Sequence, residues 1–320
     1  TGDKVNEVET SADDDKTEAN EAGVAYMYGL EAGEYYLVET KAPTNYTAAD
    51  NTVVKVTERA IASKTIENMP QAKVYFTKKG AENAQSAFIQ ELEGAEFEIY
   101  DKDGARLYGK KDSEDNYTDV STDSTGREAV VITTRLDSTG VSVSNYVTLS
   151  PGTYKYKETK APAPFTPDST LKEFVVGSVS ANGDGSSQTF TVNNYLQYGQ
   201  IRVKKSTDDG RTDDGALNGA QFAIYANKED ALAGTNSLET IVTGTVTEEG
   251  VKLHGIGYSK SNLELGKTYY IKETKAPGGY AVDTQIHEFT PTVDHKQVEW
   301  TCQNKRTVSI QITKTDRING

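Results

Sequence analysis

A lysine, a glutamate and an asparagine recur at the ends of apolar or aromatic-rich runs in this chain of 320 residues. The glutamate is the easiest to follow, because the block ETKAP occurs three times and contains Glu39, Glu158 and Glu273. These glutamates lie 119 and 115 positions apart, which indicates an internal repeat. The other two residues recur in step, with lysines closing KVYFTKK (73–79), QIRVKKS (200–206) and VSIQITKT (308–315), and asparagines closing KTIENMP (64–70), TFTVNNY (189–195) and EWTCQNK (299–305).

Strand alternation predicts that these polar residues point inward. Side chains at positions i, i+2 and i+4 lie on one face of a strand, so Glu273 shares a face with Tyr269 and Ile271. By the same rule, inward rows of apolar residues end at Glu158, Lys78, Lys205, Lys314, Asn194, Asn304 and, more weakly, Asn68. Asn193 stays an alternative to Asn194, because the register of a strand is easily displaced by one residue.

These three residue types can react with one another inside a core. Burial lowers the pKa of a lysine and raises that of a glutamate, so a neutral amine can meet a protonated acid. The amine is a nucleophile, and the acid can polarise the asparagine carboxamide. Attack of the lysine nitrogen on the carboxamide carbon forms an amide and releases ammonia in a single turnover. The unreacted alternative is a buried lysine–glutamate ion pair with the asparagine as a hydrogen-bonding neighbour.

The repeats predict an all-β chain of tandem domains. Each full copy runs in the order lysine strand, GAxF strand, variable middle, glutamate strand and asparagine strand, with Gly-, Asn- and Asp-rich turns between the strands. Residues 1–70 hold the back part of a repeat, residues 71–196 and 197–305 are complete repeats, and residues 306–320 open another. Short linkers favour a rod-like array. Because the first residues do not resemble an initiation site, we expect an internal fragment of a longer chain.

The order K…GAxF.IY…G.YY.xETKAP…N resembles the Cna B-type domain of Gram-positive surface adhesins and SpaA-type pilins, over nearly the whole chain. The resemblance implies tandem β-sandwiches of transthyretin-like or inverse immunoglobulin-like fold, each with an internal Lys–Asn isopeptide bond assisted by the glutamate. It implies crosslinks Lys78–Asn194 (alternative Asn193) and Lys205–Asn304, with Glu158 and Glu273 as the assisting acids. Glu39, Asn68 and Lys314 are then members of incomplete sets at the two ends of the chain.

Composition excludes several other functions. The formal net charge of -14 is unfavourable for binding nucleic acid or an anionic membrane surface, and no apolar run is long enough to insert into a membrane. The single cysteine, Cys302, excludes an intrachain disulfide framework and is interpreted as a small inward core residue. The three histidines are scattered, so we expect no metal site and no cofactor.

The favoured function is a structural stalk segment of a cell-wall-anchored, extracellular surface protein, and not a turnover enzyme. Its partners are the neighbouring repeats, with peptidoglycan anchoring through a region outside this segment. One alternative is a pilus backbone polymerised by sortase, although no YPK-type acceptor motif is present. Another is an adhesin module that contacts host or matrix molecules through the variable segments 102–148 and 227–262.

Overall fold

The fold is described from a computed structural model, which describes residues 3–10, 23–43, 46–86, 89–178 and 186–308. Its contacts divide the chain into two units, Thr1–Pro70 and Gln71–Gly320. Nearly all regular structure consists of strands, as the alternating sequence patterns predict. No helix in the described part of the chain has the length and apolar character needed to cross a membrane.

The first unit contains two short antiparallel pairs. Strand β1 (Gly33–Leu37) pairs with β3 (Thr52–Val56), and β2 (Tyr46–Thr47) pairs with β4 (Met69–Pro70). The sequence predicted a strand ending at Asn68, but residues 64–68 form none. In the other repeats this strand pairs with the lysine strand, and the described residues of the first unit contain no such partner.

The second repeat is a two-sheet sandwich. One sheet has the order β10-β8-β9-β13-β5, with β16 also paired to β5, and the other has the order β12-β11-β7-β14-β15. Phe76, Phe97, Tyr156 and Phe174 pack their rings together between the sheets. The strands are β5 (Ala72–Ala81), β6 (Gln90–Glu91), β7 (Glu96–Tyr100), β8 (Tyr108–Lys111), β9 (Tyr117–Ser121), β10 (Glu128–Ala129), β11 (Val131–Leu136), β12 (Ser142–Ser144), β13 (Val147–Leu149), β14 (Gly152–Lys160), β15 (Lys172–Val176) and β16 (Ser187–Tyr195).

The third repeat is a smaller sandwich of two four-stranded layers, β20-β21-β17-β24 and β19-β18-β22-β23. Its elements are β17 (Gln200–Thr207), a 3-10 turn (Gly215–Leu217), β18 (Gln221–Tyr225), α1 (Lys228–Ala233), β19 (Glu239–Val242), β20 (Gly244–Glu248), β21 (Val251–Tyr258), β22 (Tyr269–Lys275), β23 (Ile286–Phe289) and β24 (Gln297–Asn304). Helix α1 is capped by the Asn227 side chain, and it ends at Gly234, whose φ of 72° lies in the left-handed region that glycine adopts without strain. This short helix lies within the segment NKEDALAG (227–234).

In both complete repeats the first strand pairs in parallel with the last. Lys78 is opposite Val192 in the β5–β16 pair, and Lys205 is opposite Cys302 in the β17–β24 pair. Each asparagine lies two positions beyond the residue opposite its lysine. Since residues two apart share a face, the parallel register brings each lysine and asparagine to the same inner face.

The two sandwiches are joined by hydrogen bonds between strands β6 and β20, with Glu248 opposite Gln90. Gln90 Nε2 also donates to Gln200 Oε1 at 3.0 Å, and Gln297 Nε2 donates to the same oxygen at 2.7 Å. Gln200 is fully buried. Strand β17 is therefore covered on its outer face as well as its inner face.

Candidate crosslink sites

In the second repeat, Lys78, Glu158 and Asn194 meet in the core. Strand β5 supplies the lysine and β14 of the facing sheet supplies the glutamate, whose side chains are 0% and 1% exposed. Lys78 Nζ lies 2.8 Å from Glu158 Oε1. Asn194 Nδ2 donates to Glu158 Oε2 at 2.9 Å and to the Thr166 carbonyl at 3.1 Å. The carboxylate therefore bridges the amine and the carboxamide.

The two candidate asparagines of the second repeat point in opposite directions. Asn194 is buried at 5% exposure and contacts Glu158, whereas Asn193 is exposed. The structure thus brings Asn194, and not Asn193, beside the lysine and the acid.

The third repeat contains the same arrangement. Lys205 Nζ lies 3.1 Å from Glu273 Oε1, and both side chains are 0% exposed. Asn304 Nδ2 donates to Glu273 Oε2 at 2.6 Å and to the Ala281 carbonyl at 2.8 Å. Lys205, Glu273 and Asn304 are thus assembled on β17, β22 and β24.

A recurring backbone contact holds each glutamate. The amide nitrogens of Ala49, Asp168 and Asp283 donate to Glu39, Glu158 and Glu273 at 2.7, 3.0 and 2.7 Å. Each donor lies ten positions after its glutamate, where the chain returns after the turn at the ETKAP proline. Sequence reasoning did not identify these donors, because a backbone nitrogen leaves no residue-type signal.

The phenylalanine of the GAxF strand covers each lysine. Lys78 Nζ lies 5.7 Å from the centre of the Phe97 ring, and Lys205 Nζ lies 5.5 Å from that of Phe222. These aromatic walls exclude water from the amines. Burial lowers the pKa of Lys78 from its ordinary value, and the neighbouring Glu158 carboxylate opposes that effect only in part. From the sequence, the GAxF motif was interpreted only as part of a strand. Its pattern did not predict that the phenylalanine ring faces the lysine.

Each cluster holds an amine and a carboxamide against the same carboxylate. Asn304 Oδ1 is buried without a hydrogen-bond partner, while Nδ2 faces the carboxylate. A half-turn of the carboxamide exchanges the two atoms and places Oδ1 against Glu273, where a protonated acid donates to it. The lysine nitrogen lies 2.8 Å from the Glu158 carboxylate in the second repeat and 3.1 Å from the Glu273 carboxylate in the third. The groups are therefore close enough to exchange a proton with small rotations.

The first unit contains a partial set. Asn68 Nδ2 donates to Glu39 Oε2 at 2.5 Å and to the Thr47 carbonyl at 3.0 Å. The glutamate–asparagine contact is thus also formed in this unit, which contains no lysine strand among its described residues. Lys314 lies outside the described residues.

Cys302 lies against Lys205 in the core of the third repeat. Its Sγ is 3.0 Å from Lys205 Nζ, and its carbonyl oxygen accepts from the same nitrogen at 3.0 Å. Burial raises the pKa of the thiol to about 11, although the Lys205 hydrogen bond lowers it in part. The prediction of an inward cysteine did not include this contact. In the part of the chain that the structure describes, no group of His, Cys, Asp and Glu side chains is arranged to hold a metal ion.

Comparison with known proteins identifies the class and then the family. The folded repeats are all-β sandwiches, and the sequence profile of the SpaA prealbumin-like fold domain matches residues 2–70, 73–194 and 199–306. The chain therefore belongs to the SpaA prealbumin-like fold domain family. No curated protein sequence matches it.

Three solved structures show the range of similarity. A streptococcal ancillary pilin is 22% identical, with 87% of this chain and 76% of that chain covered and a TM-score of 0.29. The minor pilin of Streptococcus agalactiae is 16% identical, with 76% and 100% covered and a TM-score of 0.24. The TIE protein of Bacillus anthracis is 18% identical, with a TM-score of 0.26; 79% of this chain is covered, and this chain spans 40% of that protein.

Proposed function

We propose that this chain is a stalk segment of a protein on the surface of a Gram-positive bacterium, stiffened by intramolecular Lys78–Asn194 and Lys205–Asn304 isopeptide bonds. The observation that carries the proposal is the pair of buried lysine–glutamate–asparagine clusters, one in each complete sandwich. Membership of the SpaA prealbumin-like family supports the structural role.

Each crosslink forms by the same sequence of proton transfers. The lysine gives a proton to the glutamate within their ion pair, which leaves a neutral amine beside a neutral acid. The acid donates to the asparagine Oδ1, and the amine nitrogen attacks the carboxamide carbon. The glutamate then relays the surplus proton of the attacking nitrogen to the leaving nitrogen, and collapse of the tetrahedral intermediate expels ammonia. The proton that came from the lysine ammonium leaves with the ammonia as ammonium. One amide forms, one ammonia departs and the glutamate is regenerated, so the reaction is not a catalytic cycle.

The position of these bonds suits a load-bearing role. Each would join the first strand of a repeat to the last, and those strands lie side by side in the sheet. Force entering at Lys78 and leaving at Asn194 then passes through the bond, and the intervening chain is not stretched. Closing a loop of about 100 residues also stabilises the fold by about 4–5 kcal/mol in the chain-entropy treatment developed for disulfides.

Intact mass spectrometry of the purified chain tests the proposal. We expect a mass lower than the sequence mass by two molecules of ammonia. Changing Glu158→Ala and Glu273→Ala together restores the full mass, and each single change restores one ammonia. A wild-type chain with its full sequence mass would exclude both crosslinks.

A further inference from the structure

The third repeat places two nucleophilic atoms in direct contact within its core. Lys205 Nζ and Cys302 Sγ are 3.0 Å apart, and the two residues are 0% and 1% exposed. The thiol is therefore not isolated: it contacts an amine inside a cluster that also contains the unpartnered Asn304 Oδ1.

The backbone register fixes this contact. Lys205 and Cys302 are directly opposite each other in the parallel β17–β24 pair, and both point into the core. The equivalent pair in the second repeat is Lys78 and Val192, where the partner side chain has no reactive atom. The two repeats thus share one geometry and differ in one chemical group, which provides an internal control.

We propose that Lys205 and Cys302 are the site of a reversible covalent nitrogen–sulfur bridge, formed when a peroxide oxidises the thiol. The neutral amine first takes the thiol proton, and the resulting thiolate attacks hydrogen peroxide to give a sulfenic acid and hydroxide. The ammonium returns its proton to the hydroxide, which becomes water. The amine nitrogen then attacks the sulfenic sulfur and a second water departs. In sum, one thiol, one amine and one peroxide give one sulfenamide and two waters.

The bridge joins the same two strands as the proposed isopeptide bond and uses the same lysine nitrogen. A given molecule therefore carries either the isopeptide bond or the bridge in this repeat. The bridge forms only in molecules whose Lys205 amine has stayed free. Strand β24 is the last in its sheet among the described strands, so local opening at this edge admits a small oxidant. Two equivalents of an added thiol reverse the bridge, regenerating the amine and Cys302 while forming one disulfide.

The test uses the full chain with Asn304→Ala, which keeps the Lys205 amine free. The folded variant is treated with hydrogen peroxide, digested without reductant and examined by mass spectrometry. We expect the peptides containing Lys205 and Cys302 to be joined with the loss of two hydrogens, and to separate on addition of dithiothreitol. A joined pair that keeps one further oxygen has consumed a second peroxide and also supports a lysine–cysteine bridge. Should Asn304→Ala fail to fold, Glu273→Gln provides a second chain with a free amine.

Matched substitutions decide between the bridge and unrelated oxidation. Cys302→Val in the Asn304→Ala chain copies the second repeat and abolishes the joined peptides. Val192→Cys combined with Asn194→Ala creates an equivalent bridge to Lys78. Oxidation of Cys302 to sulfenic or sulfinic acid without joined peptides, in a folded chain, would overturn the proposal. Ammonia loss from the wild-type chain is measured in parallel, so failure of the bridge is distinguishable from failure of the isopeptide bonds.

Discussion

Lys78 and Lys205 are buried lysines that each face one buried carboxylate. Removing both charges from water costs several kcal/mol per ion, and a buried ion pair seldom recovers that cost as net stability. Apolar residues of similar volume would fill these positions without that cost. The same costly arrangement occurs in two sandwiches, which supports a chemical role, because buried charged groups with perturbed pKa values cluster at functional sites.

Glu158→Gln tests the role of the acid at constant volume. The amide cannot take the lysine proton, so the second repeat keeps its ammonia while the third repeat still loses one. In the Asn194→Ala background, where no crosslink forms, the same change leaves the Lys78 charge without a counterion, and we expect the free energy of unfolding of this repeat to fall by about 3–5 kcal/mol. Glu96→Gln is the control, because its pair with Lys160 is largely exposed and contributes about 1 kcal/mol or less. Ammonia loss from both repeats of Glu158→Gln would contradict the role of the acid.

The lowered pKa of Lys78 predicts a pH dependence in the unlinked variant Asn194→Ala. Between the folded pKa and the ordinary value of 10.5, the unfolded state binds more protons than the folded state. The free energy of unfolding of this repeat should therefore rise as the pH increases through that window. Denaturant titrations at pH 7 and pH 10 measure the change, and adding Lys78→Met should abolish the difference. A fall in stability over this range that Lys78→Met removes would contradict the assigned direction.

At the scale of elements, the parallel pairing of first and last strands determines which residues meet. Gly80 lies opposite Asn194 in the β5–β16 pair. A Cβ atom at Gly80 would lie 2.4 Å from Phe165 Cζ and 2.7 Å from Leu92 Cδ1. A side chain at this position would therefore disturb the strand contact that positions the asparagine.

Gly80→Ala is expected to destabilise the second repeat by about 1–3 kcal/mol, because the Phe165 ring must move out of a packed cluster. The measurement is denaturant unfolding in the Asn194→Ala background, where no isopeptide bond can form. Gly244→Ala serves as the control, since Gly244 also lies in a strand but its Cβ would meet no atom within 4 Å. Equal losses of unfolding free energy for the two substitutions would show that the Phe165 contact does not cause the destabilisation.

Sequence alternation predicted the inward direction of Lys78, Glu158 and Glu273, because strand period is a local property. Alternation could not supply the pairing register between the strands, because the paired residues lie about 100 positions apart in the chain. That register is what places Asn194, and not Asn193, at the site. The same limit explains why the contact of Cys302 with Lys205 was missed. In the first unit the predicted strand before Asn68 was wrong, since a strand needs a hydrogen-bonding partner as well as a suitable pattern.

At the scale of the second unit, the two complete repeats share a buried polar junction. Gln200 accepts from Gln90 and Gln297 and donates to the Ser259 carbonyl at 3.1 Å. Glu82 adds a further link by accepting from the backbone nitrogens of Lys296 and Gln297. The burial of Gln200 could not be inferred from alternation along β17, because residues of the second repeat contribute to covering this side chain.

Gln200→Ala should loosen this junction. It removes the acceptor of the Nε2 groups of buried Gln90 and half-buried Gln297, at about 1–3 kcal/mol. Hydrogen exchange should therefore quicken by about 5- to 150-fold at the β6–β20 pair if that pair opens with the junction. Gln197→Ala is the control, because that side chain is exposed. Unchanged exchange at β6 and β20 would show that the strand pairing holds without the glutamine network.

Single-molecule stretching of residues 71–308 between their ends tests the central claim most directly. If the Lys78–Asn194 and Lys205–Asn304 bonds carry the load, the wild-type segment does not release the chain between those residues at any force below covalent rupture. The double variant Glu158→Gln, Glu273→Gln then releases about 330–420 Å per repeat, as expected for 116 and 99 residues drawn out at about 3.3–3.6 Å each. Release of those lengths by the wild-type segment would contradict the account.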